Sequence, residues 1–567
     1  MVVYELLVRD FIARHDYQTL RDTLSYIQRL GINTIELMPI NEFDGNETWG
    51  YNPDFYFSPD KYYGTRLAFK QFIDECHRRG IAVVLDMVLN QSTGQSPMVG
   101  LYADGSGYAP SADNPWFNVT APHPYNVFND LNHESPYTRY FSKRVMEYWL
   151  KEYHIDGYRF DLAGGFTQKQ TTDATYGNYD QSRIDIWKDY YQTLVATDAT
   201  VYPILEHFPQ DSEAKALADY GFMIWGNMTY NYNEATMGYV GNSDISRGYY
   251  KNRGFAQPNL ITYMESHDEE RLTYKNIMYG NSAGSYSVKD PATALARQEL
   301  AAAFFFTVPG PKMIWQFGEL GYDKSIFQCP DGTLPQPPRA ADDCKLSNKP
   351  ILWNYYQDPN RRRLYDVYRS LITLKETQPV FANASATFDQ QVSGGVKTIH
   401  LSDPSLSVTV VGNFNVTAAS VTPGFQSTGT WYNYLTGVAT TVTDVNAPLQ
   451  LQPGEYAVYT SKNVSKPTGT TLPTRAGQTA AAFRLSAAPN PTASSATLRY
   501  ELPSATTVQV TVSNVLGATV RALSSGGRQS AGAHEMTLPV ATLANGIYMV
   551  RLLADGQQQT TRLVVQH

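Results

Sequence analysis

A chain of 567 residues is long enough for one large domain and one or two smaller ones. Its 45 Lys and Arg stand against 53 Asp and Glu, a net charge of −8, which argues against nucleic acid or an anionic membrane as partner. Aromatics make up 13% of the chain, with 41 Tyr and 8 Trp; that suits stacking on neutral, hydroxyl-rich ligands such as sugars, and it suits an aromatic core equally well.

Strand and helix signals alternate from the start. Val2–Val8 is apolar and β-rich, without the basic and apolar regions or the cleavage site of a signal peptide. Tyr17, Leu20, Leu24 and Ile27 recur at helical spacing. Ile32–Met38 reads as a second strand and Leu67–Arg79 as a second helix, with Cys76 as a small buried hydrophobe on it. Ile81–Leu89 is a nearly continuous apolar run, as in a parallel strand covered on both faces. From about 90 to 135 the pattern breaks into Gly, Pro, Asn and Tyr, too long for a structureless loop, and an inserted subdomain is expected. Further strands are predicted at Ile155–Leu162, Val201–Leu205, Leu260–Met264 and Lys312–Gln316, with helices at Pro136–Tyr153, Arg183–Thr197, Ala292–Thr307 and Arg361–Glu376.

Repeated βα units over residues 1–380 favour a (β/α)₈ barrel with an insertion after the third strand. A doubly wound sheet would want a Gly-rich turn after its first strand, and VYELLVRDF has none. From 381 to 461 short alternating runs predict a β-sandwich domain. Residues 462–482 read as a polar linker, and 483–567 as a second all-β sandwich. Cys329 and Cys344 flank a Pro-rich loop and could close it as a disulfide in an oxidising compartment. No run of 18 or more apolar residues occurs to form a spanning helix.

Barrel enzymes place catalytic groups at the C-terminal ends of their strands. Those ends carry Asp86 with Asn90 and Gln91, Arg159 with Asp161, Glu206, and His267 with Asp268. Each has an innocent reading as a cap or satisfied core group, yet the fold aims all of them at one mouth. Arg159 and Asp161 are two apart in a strand, so their side chains share a face. Paired carboxylates at one mouth are what glycoside hydrolysis requires. The Arg casts Asp161 as nucleophile, and Glu206, near Leu205 and Phe208, is the candidate acid.

In order, DMVLNQ, GYRFDLAGG, ILEHF and MESHDEE resemble the four conserved regions of the α-amylase family, glycoside hydrolase family 13. WGYNPDFYFSPDKYYGT and WQFGELGYD resemble its segments after the second and eighth strands. The resemblance implies a retaining attack by Asp161 on α-linked glucose units, with Glu206 as acid and base. Asp268, His267 and Arg159 would hold the distorted ring and Tyr51 would stack on it. Gln91 stands where the family has a sugar-binding His, and Gly164-Gly165 where it has Lys-His. Trp225 would line the acceptor side, against a reading in which it belongs to the core. The family's structural Ca²⁺ would take Asn90, Asp130 and the Gly165 carbonyl, against a reading in which Asn90 and Asp130 only hydrogen-bond their loop. An α-glucan hydrolase is expected, with a transglycosylase or branching enzyme, or a non-catalytic glucan-binding protein, as alternatives.

The last module resembles the sorting domain of the type IX secretion system, through Pro489-Asn490-Pro491, Gly517, Gly546-Ile547-Tyr548 and RLVVQ. It implies passage through that machinery to the cell surface or medium. Such a cargo needs a signal peptide, so the chain's start is expected to be internal. A monomer is expected.

Overall fold

The computed structural model describes residues 1–337, 340–468, 470, 472, 485–502, 505–514, 519–530, 532–554 and 557–567. Eight short strands close a barrel in its first unit, Met1–Leu472. They are β1 (Val2–Leu6), β2 (Thr34–Leu37), β3 (Ala82–Met87), β4 (Gly157–Phe160), β5 (Tyr202–Leu205), β6 (Met223–Asn227), β7 (Leu260–Tyr263) and β8 (Lys312–Trp315). Neighbours in sequence are neighbours in the sheet, all pairs are parallel, and β8 closes on β1. The sixth strand is absent from the sequence reading: MIWGN carries Gly226 and a polar end, both poor marks of a strand.

Helices cover the outside, and their caps explain where they begin. Asp16 accepts the Thr19 N–H at the start of Tyr17–Leu30, and Thr65 that of Ala68 at Arg66–Arg78. Ser135 and Pro136 open Pro136–Tyr153, and Asp290 caps Pro291–Thr307. Cys76 is buried and unpaired, whereas Cys329 and Cys344 are joined as a disulfide. Between β3 and Pro136, Gln91–Ser92 pairs with Asn129–Asp130 over a small core of Val99, Phe117 and Leu131. That pairing holds Gln91 and Asp130 together at the barrel's edge.

After the last barrel helix, Pro359–Thr377, a six-stranded antiparallel sheet runs from Thr387 to Thr460, with a two-stranded sheet beside it. It packs within the same compact unit as the barrel. The buried Lys397 ammonium marks the join, donating to the carbonyls of Ser243, Val392 and Gly394.

The expected linker falls largely outside the described residues, as does Gly517. The second unit has a three-stranded and a four-stranded antiparallel sheet around alternating residues such as Leu498, Val510, Val512, Val550 and Leu563. Asn490 ties the APNP turn to the final strand, donating to the Arg562 carbonyl and accepting the Val564 N–H.

Candidate active site

The site grows from one arginine. Arg159 sits in β4 with no exposed side-chain surface, so its charge must be met by buried partners. Asp86 is its register partner on β3, and both Asp86 oxygens accept from Nη1, at 2.9 and 3.0 Å. Asp161 Oδ1 accepts from the same nitrogen at 2.8 Å. Glu206 Oε1 stands 3.0 Å from Nη2. The guanidinium carbon lies 4.2 Å from the centre of the Trp225 ring, so an indole floors the cluster.

The backbone after β4 completes the arrangement. Leu162 is left-handed, with φ of 44°, and its N–H points at Glu206 Oε2, 2.7 Å away. A branched residue adopts that conformation only when the surroundings impose it. Here it gives Glu206 a fixed donor and turns the chain sharply behind Asp161.

A second strand of contacts runs from β1. His267 Nδ1 lies 2.5 Å from Glu5 Oε1, and its backbone N–H meets Glu5 Oε2 at 3.2 Å. Its Nε2 lies 3.0 Å from the Tyr51 hydroxyl, which donates to Asp86 Oδ2 at 2.6 Å. Because Tyr51 donates to Asp86, it accepts from His267, and both ring nitrogens then carry hydrogen. Burial works against that charge, but Glu5 outweighs it and pushes the imidazole up to about 9. The Tyr51 ring also stacks on His267, with centres 5.2 Å apart.

These surroundings set the acids. Burial pushes Glu206 up to about 7 against the pull of Arg159, helped by the charge of Asp161. Burial also raises Asp161, with Arg159 opposing and Asp86 adding to the rise. The pull of Arg159, which casts Asp161 as nucleophile, is present, but loss of water is the larger effect. Asp268 is about half exposed and loses less water, and the His267 and Lys345 cations bring it below the ordinary carboxylate value. Lys345 Nζ is 2.6 Å from Asp268 Oδ1.

Asp161, Glu206, Asp268, Arg159, His267 and Tyr51 thus gather at one end of the barrel. Two other predicted residues are placed less openly. Gln91 is 2% exposed, donating to the Tyr51 carbonyl and accepting from the Asn90 amide, so its side chain braces Tyr51. Trp225 is 1% exposed; it lines a cavity with Phe208, whose ring is the half-exposed one. Sequence reasoning missed Glu5 and Lys345. An acid inside the apolar VVYELLV was the available signal for the first; nothing marked the second.

Asn90, Asp130 and Gly165 also come together. Asn90 Oδ1 is buried without a partner, while Asp130 meets His123 Nε2 at 3.1 Å and the Asn118 amide at 2.7 Å. A Cβ on Gly165 would lie 2.1 Å from Asn90 Oδ1 and 2.9 Å from His123 Nε2, so this glycine makes the close approach. An orphaned amide oxygen beside a carboxylate fits a hard cation whose sphere water completes. Among the described residues, no cluster of three His, Cys, Asp or Glu is placed to hold a metal.

The alpha amylase catalytic-domain family matches residues 13–127 and 123–366, and the secretion system C-terminal sorting domain matches 486–566. Alpha-amylase 3 of Dictyoglomus thermophilum is 25% identical over 419 residues, covering 66% of this chain and 76% of that protein. A malto-oligosyltrehalose trehalohydrolase of Saccharolobus solfataricus is 32% identical over 162 residues, 28% of this chain and 27% of that protein. A 1,4-alpha-glucan branching enzyme of Oleidesulfovibrio alaskensis is 26% identical over 347 residues, 56% and 52% of the two chains. The chain thus spans about a quarter of that trehalohydrolase and about half of that branching enzyme. An Anoxybacillus alpha-amylase structure shares the fold, with a TM-score of 0.62 at 17% identity over 82% of this chain and 98% of that one. The terminal match indicates secretion or a place at the cell surface. With its barrel, its gathered acids and these matches, the chain belongs to the alpha-amylase family of glycoside hydrolases.

Proposed function

We propose that the protein is a retaining hydrolase of α-linked glucans. One observation carries the reading: Asp161 and Glu206 meet on a single guanidinium at the barrel mouth. Asp161 attacks the anomeric carbon as Glu206 gives its proton to the departing oxygen, leaving a β-glucosyl ester on Asp161. Glu206, now ionised, takes a proton from water as that water attacks the same carbon, which frees Asp161 and restores the acid. Arg159 fixes both carboxyls. Asp268 accepts the ring's hydroxyls, the charged His267 donates, and Tyr51 supports the sugar face. Asn90, Asp130 and the Gly165 carbonyl would hold a structural Ca²⁺, which would steady the inserted segment.

A second reading has an observation of its own. Where the chain leaves β5, starting two residues past Glu206, an open cavity of about 380 Å³ is lined by Phe208, Gln210, Asn227 and Arg247 among others. A sugar there could replace water and make the product a new linkage, as the branching-enzyme likeness suggests. Digestion of amylose, pullulan and cyclodextrins, with the first anomer read by NMR, tests both. Retained α-anomer supports the mechanism, inverted product refutes it, and lengthened chains mean transfer. Asp161→Asn should lose on the order of 10³-fold or more in turnover, about 4 kcal/mol of transition-state stabilisation. Activity within tenfold of wild type would mean another nucleophile.

A further inference from the structure

The two sides of the barrel mouth are built differently. On the β5–β6 side lies the open cavity of about 380 Å³, lined by residues that follow those two strands, from Phe208 and from Gly226 onward. On the β8–β1–β2 side, only a small separate cavity of about 20 Å³ lies among Trp49, His267, Trp315 and Lys349. What fills that side is the segment after β8.

The Cys329–Cys344 disulfide closes a loop there, and the next residue is Lys345. Its ammonium binds Asp268, carried on the β7 loop, and stands 5.7 Å from the Trp49 ring centre on the β2 loop. Arg9, 1% exposed, fastens the two walls together. It donates to the Glu47 carbonyl at 2.9 Å and to those of Leu346 and Ser347 at 3.0 and 3.2 Å. Lys349 locks the neck, donating to the Gln328 and Cys344 carbonyls. A lysine on a loop held by a disulfide, a buried arginine and a second lysine is fixed in place. It spans three loops of the mouth.

The direction of the glucan follows from the acid. Glu206 protonates the leaving oxygen, so the departing chain, with its reducing end, lies towards Phe208 and the open cavity. The retained sugar's non-reducing side then runs past Asp268 to Lys345 and Trp49. We infer that Lys345, held next to the Cys329–Cys344 disulfide, ends the donor side of the cleft, so that the enzyme takes a glucan by its non-reducing end and releases short products. This rests on the roles proposed for Asp161 and Glu206.

Maltoheptaose labelled at its reducing end tests it, with wild type, Lys345→Ala and Cys329→Ser/Cys344→Ser compared after thermal melting shows each folded. The wild type should shorten the labelled chain from the far end by a constant small step. Both variants should add interior cuts and broaden the early ladder. An interior ladder from the wild type, or ladders identical in all three, overturns the inference and leaves the acids' roles standing. Loss of those roles would show separately, as an active Asp161→Asn. A binding measurement needs no turnover. In an Asp161→Asn background, adding Lys345→Ala should let maltotetraose bind about two- to fivefold tighter than before, the range of a half-exposed ion pair, with maltose little changed. Equal gains for both sugars, or none, would overturn it.

Discussion

The proton on Glu206 gives the sharpest test of the chemistry. Its carboxyl titrates near 7 because burial outweighs its shared hold on Arg159. As the acid it must be protonated, so kcat/KM on maltooligosaccharides should fall about tenfold for each pH unit above 7. Glu206→Gln should lose about 10²–10⁴-fold on these substrates and lose this alkaline limb as well. A 2,4-dinitrophenyl α-glucoside, whose leaving group needs no proton, should lose far less in the formation of the glucosyl-enzyme. The same shift makes a stability claim. The folded value is raised above the usual 4.5, so the stabilisation is present below 4.5 and lost as pH rises through about 7. At pH 8 wild type therefore carries a burden that Gln removes, on the order of 3 kcal/mol at most. Glu206→Gln should melt higher than wild type at pH 8 and much like it at pH 4.5. An alkaline limb that survives in Glu206→Gln, or a dinitrophenyl substrate hit as hard as the natural one, would refute the assignment.

Three further outcomes follow from contacts around the site. Glu5→Gln removes the charge that keeps His267 an imidazolium, so burial should carry the imidazole below 6.5, seen by NMR titration, with KM rising more than kcat falls. If Ca²⁺ joins Asn90 and Asp130, EDTA should lower the melting temperature and added Ca²⁺ restore it, while Asn90→Ala should melt alike with and without EDTA. Phe208→Ala should reduce transfer to added maltose several-fold relative to hydrolysis, since a half-exposed ring at the open cavity is the surface an acceptor would stack on; an unchanged ratio would remove it from the acceptor site.

Charges that interrupt apolar strands mark much of the site in the sequence, although Glu5 within VVYELLV bears the same mark and only the structure joins it to His267. Asp86, Arg159, Asp161 and Glu206 stand in or just beyond hydrophobic runs, and burying them demands a reason. Strand alternation even puts Arg159 and Asp161 on one face, as their 2.8 Å contact shows. Reading fails where a contact depends on long closure. Lys345 meets Asp268 across 77 positions through a loop whose path is set by Arg9 and a disulfide, and no local pattern encodes that. Gln91 shows a subtler limit. Its residue type permits a bond to a sugar, but its neighbours use the amide to hold Tyr51. Met223–Asn227 was illegible because barrel closure, rather than propensity, makes it a strand.

The division of labour between the carboxyls is a property of the cluster. Glu5, Glu36, Asp86, Asp161 and Glu206 crowd the barrel mouth and the layer beneath it, with Arg159 and His267 as the cations among them. Five crowded acids, three of them buried, cannot all ionise against two cations, so those with the weakest donors keep protons. Glu36 has no hydrogen-bond partner on either oxygen among the described residues, and burial followed by the charge of Glu5 pushes it well above the ordinary range. Asp86 takes both of its Arg159 contacts from one nitrogen and adds the Tyr51 hydroxyl. Glu206 is left with the other nitrogen and a single backbone N–H, enough to fix its place and too little to keep it charged at neutral pH. A change on β3 that released Arg159 from Asp86 would strengthen its pull on Glu206 and take away the proton that catalysis needs. The acid on β5 is therefore made by a residue on β3 that need never touch the sugar.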